Sequence, residues 1–437
     1  MLTVHRTHRA TIRNHSQVAE SLDRHGWSAS KLWNVANYYA RSVWDETGEI
    51  PDHGRLKDEL KTHTNYKGLH SQSSQRVLEE LAESFTSWYE SDDDRDNPPG
   101  YRKENYYDDH GNRVHEEHPR STVTWKQNGI KHDTENDRVR LSKGANHKEH
   151  PKAWEYILVE YETRPGVTVG NLQQVRAVYD RQKSRWELHL ICVDEIETPD
   201  APGTETAGVD LGICNFAAVA YSTDEADLYP GNRLKQDGYY FPKEIAKCDD
   251  SGGDRAIQLH HTWSERRTHF FHSLAKHIVE RCVENGVGQI NVGDLEGVRN
   301  DKNGDAKNWG RHGNLDLHGW AFNRFTSILE YKAKVEGVEV VEVSERDTSK
   351  TCSMCGREDE SQRVERGLYV CDECDAAFNA DVNGAENIRL DMNESNSESS
   401  ASLDEDRSTG WLAQPGVYLH DLSSGFQPQA QVVDCKP

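Results

Sequence analysis

Residues 349–390 read SKTCSMCGREDESQRVERGLYVCDECDAAFNADVNGAENIRL and hold the most specific pattern in the chain. They contain two Cys-x-x-Cys pairs, Cys352/Cys355 and Cys371/Cys374, separated by fifteen residues. Each short spacing turns two sulfur atoms toward one point, so the four thiolates match a closed tetrahedral Zn²⁺ site. We therefore predict a structural zinc ribbon in this segment.

Two disulfides, or four unrelated buried thiols, are the alternative for these cysteines. The chain is rich in acid, and its first residues, MLTVHRTHRA, contain no apolar secretion signal. An oxidising compartment therefore has little support. The remaining cysteines share no spacing and are predicted to be free thiols, several of them buried: Cys192, Cys214, Cys248, Cys282 and Cys435.

The chain has 437 residues, a formal net charge of −23 and a mean hydropathy of −0.91. Its length predicts two or three domains. No stretch is long and apolar enough to cross a bilayer, so we expect a soluble, cytoplasmic protein. Acidic chains ordinarily disfavour nucleic-acid partners. Salt-adapted proteins are acidic as well, however, and their local basic grooves still bind polyanions, so the charge does not exclude such a partner.

The first two hundred residues combine a helical segment with a segment of period two. Residues 2–13 interleave apolar and basic side chains, which predicts a strand with one basic face. Helical spacing follows Ser30, a candidate cap, and returns over residues 71–89. The run Tyr101-Arg102-Lys103 could contact a phosphate backbone, and a solvated loop explains it equally well. Residues 121–194 predict a small antiparallel sheet or barrel.

An acidic linker, EIETPDAPGTE at residues 195–205, follows this first half. Directly after it, residues 207–212 read AGVDLG, a short apolar strand interrupted by Asp210. A charged carboxylate inside an apolar strand is costly unless it is paired, and a divalent metal would offset that cost. Taken alone, the motif is explained equally well by a strand-end aspartate satisfied by hydrogen bonds.

The second half alternates helices and strands. Helical periodicity covers residues 255–283 and 320–335, and apolar strands are predicted at 289–295 and 338–343. A further helix starts near Asp381. This order is typical of an α/β fold, in which acids at the carboxyl ends of strands build active sites.

Together these motifs closely resemble the OrfB/TnpB proteins of bacterial and archaeal insertion sequences, long labelled transposases. The resemblance is carried by Gly-Val-Asp210-Leu-Gly, by Gly-Asp294-Leu, by Thr348-Ser-Lys-Thr-Cys-x-x-Cys-Gly and by Asp381-x-Asn-x-Ala-x-Asn-Ile. It implies an RNA-guided DNA endonuclease of a transposable element, related to type V CRISPR effectors. Guide RNA and double-stranded target DNA are the implied partners. The resemblance spans roughly residues 1–390 and is most specific from residue 207 onward.

The resemblance also implies a domain plan and a fold. The fold is an RNase H-like (RuvC) α/β nuclease domain with an inserted zinc ribbon, preceded by a small β-barrel and a helical recognition lobe. The assignments along this chain are 1–25 and 95–194 for the barrel, 26–94 for the helical lobe, 195–206 for the linker, 207–345 and 376–390 for the nuclease domain, 346–375 for the zinc ribbon and 391–437 for the tail. The acidic, serine-rich tail is expected to be disordered. We expect the protein to act as a monomer.

RuvC-type sites hold two Mg²⁺ ions between three carboxylates, so that one ion activates the attacking water and the other neutralises the leaving oxygen. Asp210 matches the first acid of the family and Asp381 the third. The second, a glutamate, should stand directly before Asp294, where this chain has Gly293. The predicted catalytic residues are Asp210, Asp381 and, as a replacement for the missing acid, Glu345.

Three interpretations of Gly293 remain open. Glu345 could supply the missing carboxylate, because it follows the strand that neighbours the one ending at Asp294. Asp294 itself, or Glu296, could turn inward instead. In the third interpretation the protein has lost nuclease activity and binds DNA as its guide directs. A zinc-ribbon scaffold or transcription factor would explain the cysteines, but it would leave the strand-end acids without a role.

Overall fold

The computed structural model divides the chain into two compact units, Met1–Ile196 and Glu197–Pro437. The boundary lies within the acidic segment predicted to be a linker. The structure describes residues 2–91, 97–107, 110, 113–117, 119–148, 154–197, 199–250, 253–294, 322–345, 347–365, 367–390 and 410–429. Among these residues, no helix has both the length and the apolar character needed to cross a bilayer.

The first unit is built on a curled antiparallel sheet. Its strands are β1 (Leu2–Ile12), β2 (Glu104–Tyr107), β3 (Arg113–Glu117), β4 (Val123–Lys126), β5 (Ile130–Asp133), β6 (Arg138–Ser142), β7 (Tyr156–Glu162), β8 (Leu172–Asp180) and β9 (Arg185–Ile196). Seven of them form one sheet in the order β4-β8-β9-β1-β7-β6-β5, while β2 and β3 form a separate hairpin. The edge strand β5 also contacts β8, beside the opposite edge, so the sheet curls toward a barrel. The predicted antiparallel sheet or barrel is confirmed.

Helices cover the apolar side of this sheet. They are α1 (His15–Thr47), α2 (His53–Leu60), α3 (Thr64–Lys67) and α4 (Ser71–Tyr89). The prediction that Ser30 caps a helix is wrong, because α1 starts at His15 and Ser30 lies inside it. The buried positions Val18 and Leu22 extend the apolar stripe upstream of Ser30. The Ser30 hydroxyl donates a hydrogen bond to the Pro119 carbonyl instead of capping the helix.

The second unit contains a mixed sheet. Its strands are β10 (Glu205–Leu211), β11 (Asn215–Tyr221), β12 (Glu225–Pro230), β13 (Val287–Asp294), β14 (Glu339–Ser344), β15 (Leu368–Cys371), β16 (Ala376–Asn379), β17 (Gly416–Asp421) and β18 (Gly425–Pro428). The main sheet has the order β14-β13-β10-β11-β12-β17-β18. Strands β10, β11 and β12 are antiparallel, whereas β13 and β14 run parallel to β10. The predicted α/β order is confirmed.

The helices of this unit lie on both faces of the sheet. They are α5 (Asn232–Ile245), α6 (Asp254–Glu284), α7 (Phe322–Val335), α8 (Ala380–Leu390) and α9 (Gly410–Ala413). Val209 and Leu211 of β10 point into a core with α6 and α7. Because side chains alternate along a strand, Gly208 and Asp210 point to the opposite face, which α8 covers. The alternation of β10 therefore aims Asp210 at α8.

The expectation of a disordered tail is wrong for residues 410–429. Strand β17 pairs in parallel with β12 and forms a hairpin with β18. Phe426 and Leu412 are buried in the apolar cores on the two faces of the main sheet. A few apolar side chains in a serine-rich segment are thus enough to extend the sheet, because β12 offers an edge that needs a pairing partner.

Candidate functional site

Three neighbouring parallel strands bring their carboxyl ends to one edge of the main sheet. Val209 of β10 is in register with Val292 of β13, and Gly293 is in register with Val343 of β14. Asp210 therefore lies beside Gly293, and Glu345 directly follows the end of β14. Carboxyl ends of parallel strands are where α/β sheets build their sites.

Glu345 extends over Gly293. A Cβ atom at residue 293 would lie 2.5 Å from both Cγ and Oε1 of Glu345 and 2.9 Å from Cδ. The carboxyl group of Glu345 therefore occupies the space into which a side chain at residue 293 would project. Its Oε1 is buried and has no hydrogen-bond partner among the described residues.

Helix α8 brings Asp381 to the same edge, and two glycines allow the close approach. A Cβ at Gly208 would lie 2.1 Å from the carbonyl oxygen of Ala385, so only glycine lets the helix rest on the strand. A Cβ at Gly384 would lie 2.8 Å from Oδ2 of Asp210. Gly208 belongs to the Gly-Val-Asp210 motif, and Gly384 lies at an unspecified position of the Asp381 motif. Both glycines let strand and helix approach.

Asp381 is held through both of its carboxylate oxygens. The side-chain amide of Asn215 donates to Oδ2 at 2.8 Å, and the guanidinium of Arg363 donates to Oδ1 at 3.2 Å. Neither Asn215 nor Arg363 was predicted from the sequence. The turn after Asp210 offered a signal for Asn215, because a tight hairpin returns the chain to the same strand end. Nothing in the spacing of the loop between the cysteine pairs singled out Arg363.

The electrostatics of the site reflect buried acids close together. The pKa of Asp210 is raised to about 7, chiefly by burial and further by the charge of Asp381, while Arg363 opposes both effects. Burial likewise raises the pKa of Glu345 to about 8, with smaller contributions from the charges of Asp210 and Asp294. Like charges this close disfavour joint ionisation in the absence of a cation.

The remaining acids predicted for the site lie differently. Asp294 ends β13 with an exposed side chain. Its charge acts on Glu345, whereas the pKa of Asp210 responds to Asp381 and Arg363. Glu296 lies outside the described residues. The structure thus brings Asp210, Asp381 and Glu345 together at one sheet edge.

The four cysteines of the two Cys-x-x-Cys pairs form a single cluster, in which all four sulfur atoms lie within 4.8 Å of one another. The distance between Cys352 and Cys374 is 3.8 Å from sulfur to sulfur, and that between Cys355 and Cys371 is 3.6 Å. Zinc–sulfur bonds of about 2.3 Å in a tetrahedron place the sulfurs about 3.8 Å apart. The cluster therefore has the dimensions of a four-thiolate metal site.

The backbone after each pair turns in the same way. Gly356 follows Cys355 with φ of +73°, and Asp375 follows Cys374 with φ of +47°. This left-handed turn directs each loop back toward its own cysteines, and the Gly356 amide donates to the Cys352 carbonyl at 2.8 Å. The two pairs are thus related local structures, and the second pair lies at the turn of the hairpin that β15 and β16 form.

Two buried asparagines connect the cysteine segment to the helix that carries Asp381. The Asn383 amide donates to the Thr351 carbonyl at 2.8 Å and accepts from the Ser353 amide at 2.9 Å. Asn387 donates to the carbonyls of Thr348 and Thr351, both at 2.7 Å. The motif Asp-x-Asn-x-Ala-x-Asn thereby acquires a physical meaning: the aspartate faces the strand ends, and the asparagines tie the helix to the cysteine segment.

Two families of known proteins match regions of this chain. A family of probable transposases of the OrfB IS605 type matches residues 189–299. The Cas12f1-like TNB domain matches residues 322–388. The chain therefore contains an OrfB-type transposase region followed by a Cas12f1-like TNB region, and the resemblance to the OrfB/TnpB family that the motifs indicated is confirmed.

Curated relatives point to the same family. The TnpB-like protein ORF457 of Acidianus two-tailed virus is 24% identical over 406 residues, which is 82% of this chain and 80% of the relative. The CRISPR-associated endodeoxyribonuclease Cas12f1 of Sulfoacidibacillus thermotolerans is 24% identical and matches 49% of this chain and 52% of its own. The putative RNA-guided DNA endonuclease InsQ of Escherichia coli strain K12 is 25% identical, covering 60% of this chain and 63% of the relative.

A solved structure also aligns with most of the chain. It is the cryo-EM structure of the Cas12f1-sgRNA-target DNA complex, at 16% sequence identity. The alignment covers 89% of this chain and 99% of that chain, with a TM-score of 0.35.

Proposed function

We propose that the protein is an RNA-guided DNA endonuclease of a transposable element, with its nuclease centre at Asp210, Glu345 and Asp381. The similarity to the TnpB-like protein and to two relatives named as DNA endonucleases supports the general activity. The strand order β12-β11-β10-β13-β14, three antiparallel strands followed by two parallel ones, is the arrangement of an RNase H-like sheet and supports a RuvC-type centre.

The observation that carries the proposal is the position of Glu345 over Gly293. The family's second acid is missing from residue 293, and the carboxyl group of Glu345 fills the space that its side chain would use. The third carboxylate thus comes from the next strand without any movement of the backbone. Gly293 is then a requirement of this arrangement, because a larger residue would displace Glu345.

The donor set fits divalent metal ions. Asp210, Glu345 and Asp381 offer carboxylate oxygens, which are the ligands that Mg²⁺ prefers. The unpartnered Oε1 of Glu345 is an acceptor for which a cation would compensate. Two Mg²⁺ ions bound there would supply the activation of water and the neutralisation of the leaving oxygen that phosphodiester hydrolysis requires.

The residues of the chain orient this donor set. Asn215 and Arg363 fix the two oxygens of Asp381, so the carboxylate cannot rotate freely. The close contact of Gly384 with Asp210 fixes the separation of helix and strand. Arg363 also places a positive charge at the rim of the site, where the scissile phosphate would bring negative charge.

The cysteine cluster is proposed to bind one structural Zn²⁺. All four positions of a tetrahedral ion would be filled by thiolates, which leaves no position for water or substrate. Asn383 and Asn387 couple this segment to the helix of Asp381. Zinc would therefore support the catalytic helix through structure and take no part in hydrolysis.

The proposed partners are a guide RNA and a double-stranded target DNA, with sequence read by base pairing to the guide. The decisive experiment purifies the protein with its native RNA, sequences that RNA, and presents a matching DNA duplex with Mg²⁺. Cleavage by the wild type and its loss in Asp210→Asn are expected. Absence of any discrete bound RNA, with tight sequence-specific DNA binding by the bare protein, would contradict guide-directed recognition.

Gly293 also favours a second candidate, a guide-directed DNA-binding protein without nuclease activity. The same experiment separates the two. If the wild type binds a matching duplex with its RNA and never cuts it, the binding function stands and the nuclease is lost.

A further inference from the structure

Helix α1 holds an irregular segment of the first unit, residues 97–103, through polar side chains on one stripe of the helix. We call residues 97–103 the clasped segment. Trp33 Nε1 donates to the Gly100 carbonyl at 2.9 Å, and the amide of Asn37 donates to the Pro99 carbonyl at 2.8 Å. Asn34 makes a two-way contact with Arg102, accepting from its amide at 2.7 Å and donating to its carbonyl at 3.0 Å.

These contacts are buried and satisfy backbone groups that have no strand or helix partner. Asn34 is 7% exposed and Asn37 is fully buried. An irregular segment needs such partners for its backbone polar groups, and their presence makes it rigid. The backbone of the run Tyr101-Arg102-Lys103 is therefore held in a fixed position, whereas a solvated loop would leave it without such partners.

A cavity of about 550 Å³ lies between α1 and the clasped segment. Two aromatic rings and two lysines line it: Tyr38 and Lys31 from α1, and Tyr101 and Lys103 from the clasped segment. Tyr38 is 71% exposed and Tyr101 is 44% exposed. The guanidinium of Arg41 lies 5.3 Å from the centre of the Tyr101 ring and helps to hold it.

The charge of this cavity is unusual for the chain. The protein has 75 acidic residues against 52 lysines and arginines. Among the described residues, however, this cavity is lined by two lysines and by uncharged side chains, without an acid. A second cavity of about 510 Å³, also beside Trp33 and Arg102, is lined by Glu80 and Glu83 and would repel an anion. Exposed tyrosines beside lysines therefore distinguish the first cavity.

We propose that the Tyr38–Tyr101 cavity binds an unpaired nucleotide of a nucleic-acid strand. The base would stack on a tyrosine ring, and its phosphate would lie against Lys31 or Lys103. Aromatic rings beside cations are the chemistry by which proteins hold single strands regardless of sequence. The volume of this cavity, about 550 Å³, lies in the range of small-molecule sites and accommodates one nucleoside. The inference deepens the proposed function, on which it rests for the presence of an RNA guide and a DNA target.

The test uses the full chain carrying Asp210→Asn, freed of nucleic acid at high salt. Labelled single-stranded oligouridine and oligothymidine of about ten nucleotides serve as probes. We expect Tyr38→Ala and Tyr101→Ala each to weaken binding roughly tenfold, and Tyr38→Phe to bind as the parent does. Lys31→Ala should reduce the dependence of affinity on salt by about one phosphate contact. A preference for one probe identifies the strand as RNA or DNA, and either preference supports the site.

Tyr89→Ala is the matched control, because Tyr89 is an exposed tyrosine of the same unit, 64% accessible, outside the cavity. It should bind the probes unchanged. Crosslinking through 5-iodouracil should attach the probe to Tyr38 or Tyr101. Unchanged affinity of both folded alanine variants, or crosslinks confined to other segments, overturns the inference. These outcomes are independent of cleavage, so a protein that cuts DNA while Tyr38→Ala binds normally keeps its proposed function and loses only this site.

Discussion

The carboxyl group of Glu345 lies in the space that a side chain at residue 293 would enter, with Oε1 2.5 Å from the Cβ position of Gly293. The two residues come from neighbouring parallel strands, β13 and β14. Glycine at one position and glutamate at the other are therefore a matched pair. A larger residue at position 293 would clash with Glu345, and loss of Glu345 would leave the proposed metal site with two carboxylates.

The first prediction concerns Glu345. If it is the third metal-binding acid, Glu345→Gln should reduce Mg²⁺-dependent cleavage at least about a hundredfold, as we also expect for Asp210→Asn, because a neutral amide holds the cation poorly. Guide-directed DNA binding should survive. Glu342→Gln is the control, since Glu342 is an exposed acid on the same strand. Cleavage by Glu345→Gln at the wild-type rate would rule out the replacement.

The second prediction uses the clash at Gly293. Gly293→Ala adds only a methyl group, but that group would meet Cγ and Oε1 of Glu345, so we expect cleavage to fall roughly tenfold or more as the carboxylate is displaced. Gly238→Ala is the control, because a Cβ there meets nothing within 4 Å. The double variant Gly293→Glu with Glu345→Ala restores the family arrangement and should recover cutting. No recovery in a folded double variant would count against a shared space.

The third prediction concerns the cysteine cluster. Elemental analysis of the purified protein should find about one zinc per chain, and Cys371→Ser should lose most of it because one of four ligands is gone. Cys214→Ser, which changes an exposed cysteine outside the cluster, should keep full occupancy. Full zinc content in Cys371→Ser would disprove the assignment.

The fourth prediction concerns the carboxyl-terminal hairpin. Phe426 is 5% exposed in the core of the second unit, so Phe426→Ala should lower the free energy of unfolding by about 3–5 kcal/mol. Leu419→Ala on the same hairpin removes a side chain that is 42% exposed and should cost much less. Denaturant unfolding measures both changes. Equal and small effects would mean that the hairpin does not belong to the core.

The fifth prediction is a pH dependence of stability in the first unit. Burial lowers the pKa of His25 to about 4, so the folded state binds fewer protons than the unfolded state between about pH 4 and 6.5. The contribution of neutral His25 to the free energy of unfolding is therefore fully present above about pH 6.5. It falls as the pH is lowered, by about 2 kcal/mol between pH 7 and pH 5. Hydrogen exchange of α1 amides should report this loss.

The variant His25→Phe removes that titration and should flatten the pH dependence by the same amount. His53, which is exposed on α2, provides the control His53→Gln. Both proteins keep the partly buried histidines of the unit, so the difference between them isolates His25. An unchanged slope in His25→Phe would show that other groups carry the dependence.

Much of the second unit could be predicted from sequence, because its signals are local. The spacing of the cysteines fixes which sulfurs can meet. The period of the apolar residues predicted the helix at 255–283, observed as Asp254–Glu284. Apolar runs predicted the strands around Asp210 and Val292, and the helix expected to start near Asp381 is observed as Ala380–Leu390. Residues 410–429 were misjudged for the opposite reason. Their few apolar side chains give no periodic signal, and their structure depends on the edge of β12, which lies far away in sequence.

The sequence by itself determined which cysteines form the cluster, the α/β order of the second unit up to residue 390, and the motifs of Asp210 and Asp381, since these signals lie within short segments. Only the tertiary structure decided which acid lies against Gly293 and which residues hold Asp381. Glu345 is 52 positions from Gly293, and Asn215 is 166 positions from Asp381. Contacts over such separations depend on strand register and on which surfaces pack against Gly208 and Gly384, and a motif within one segment does not specify its packing partner.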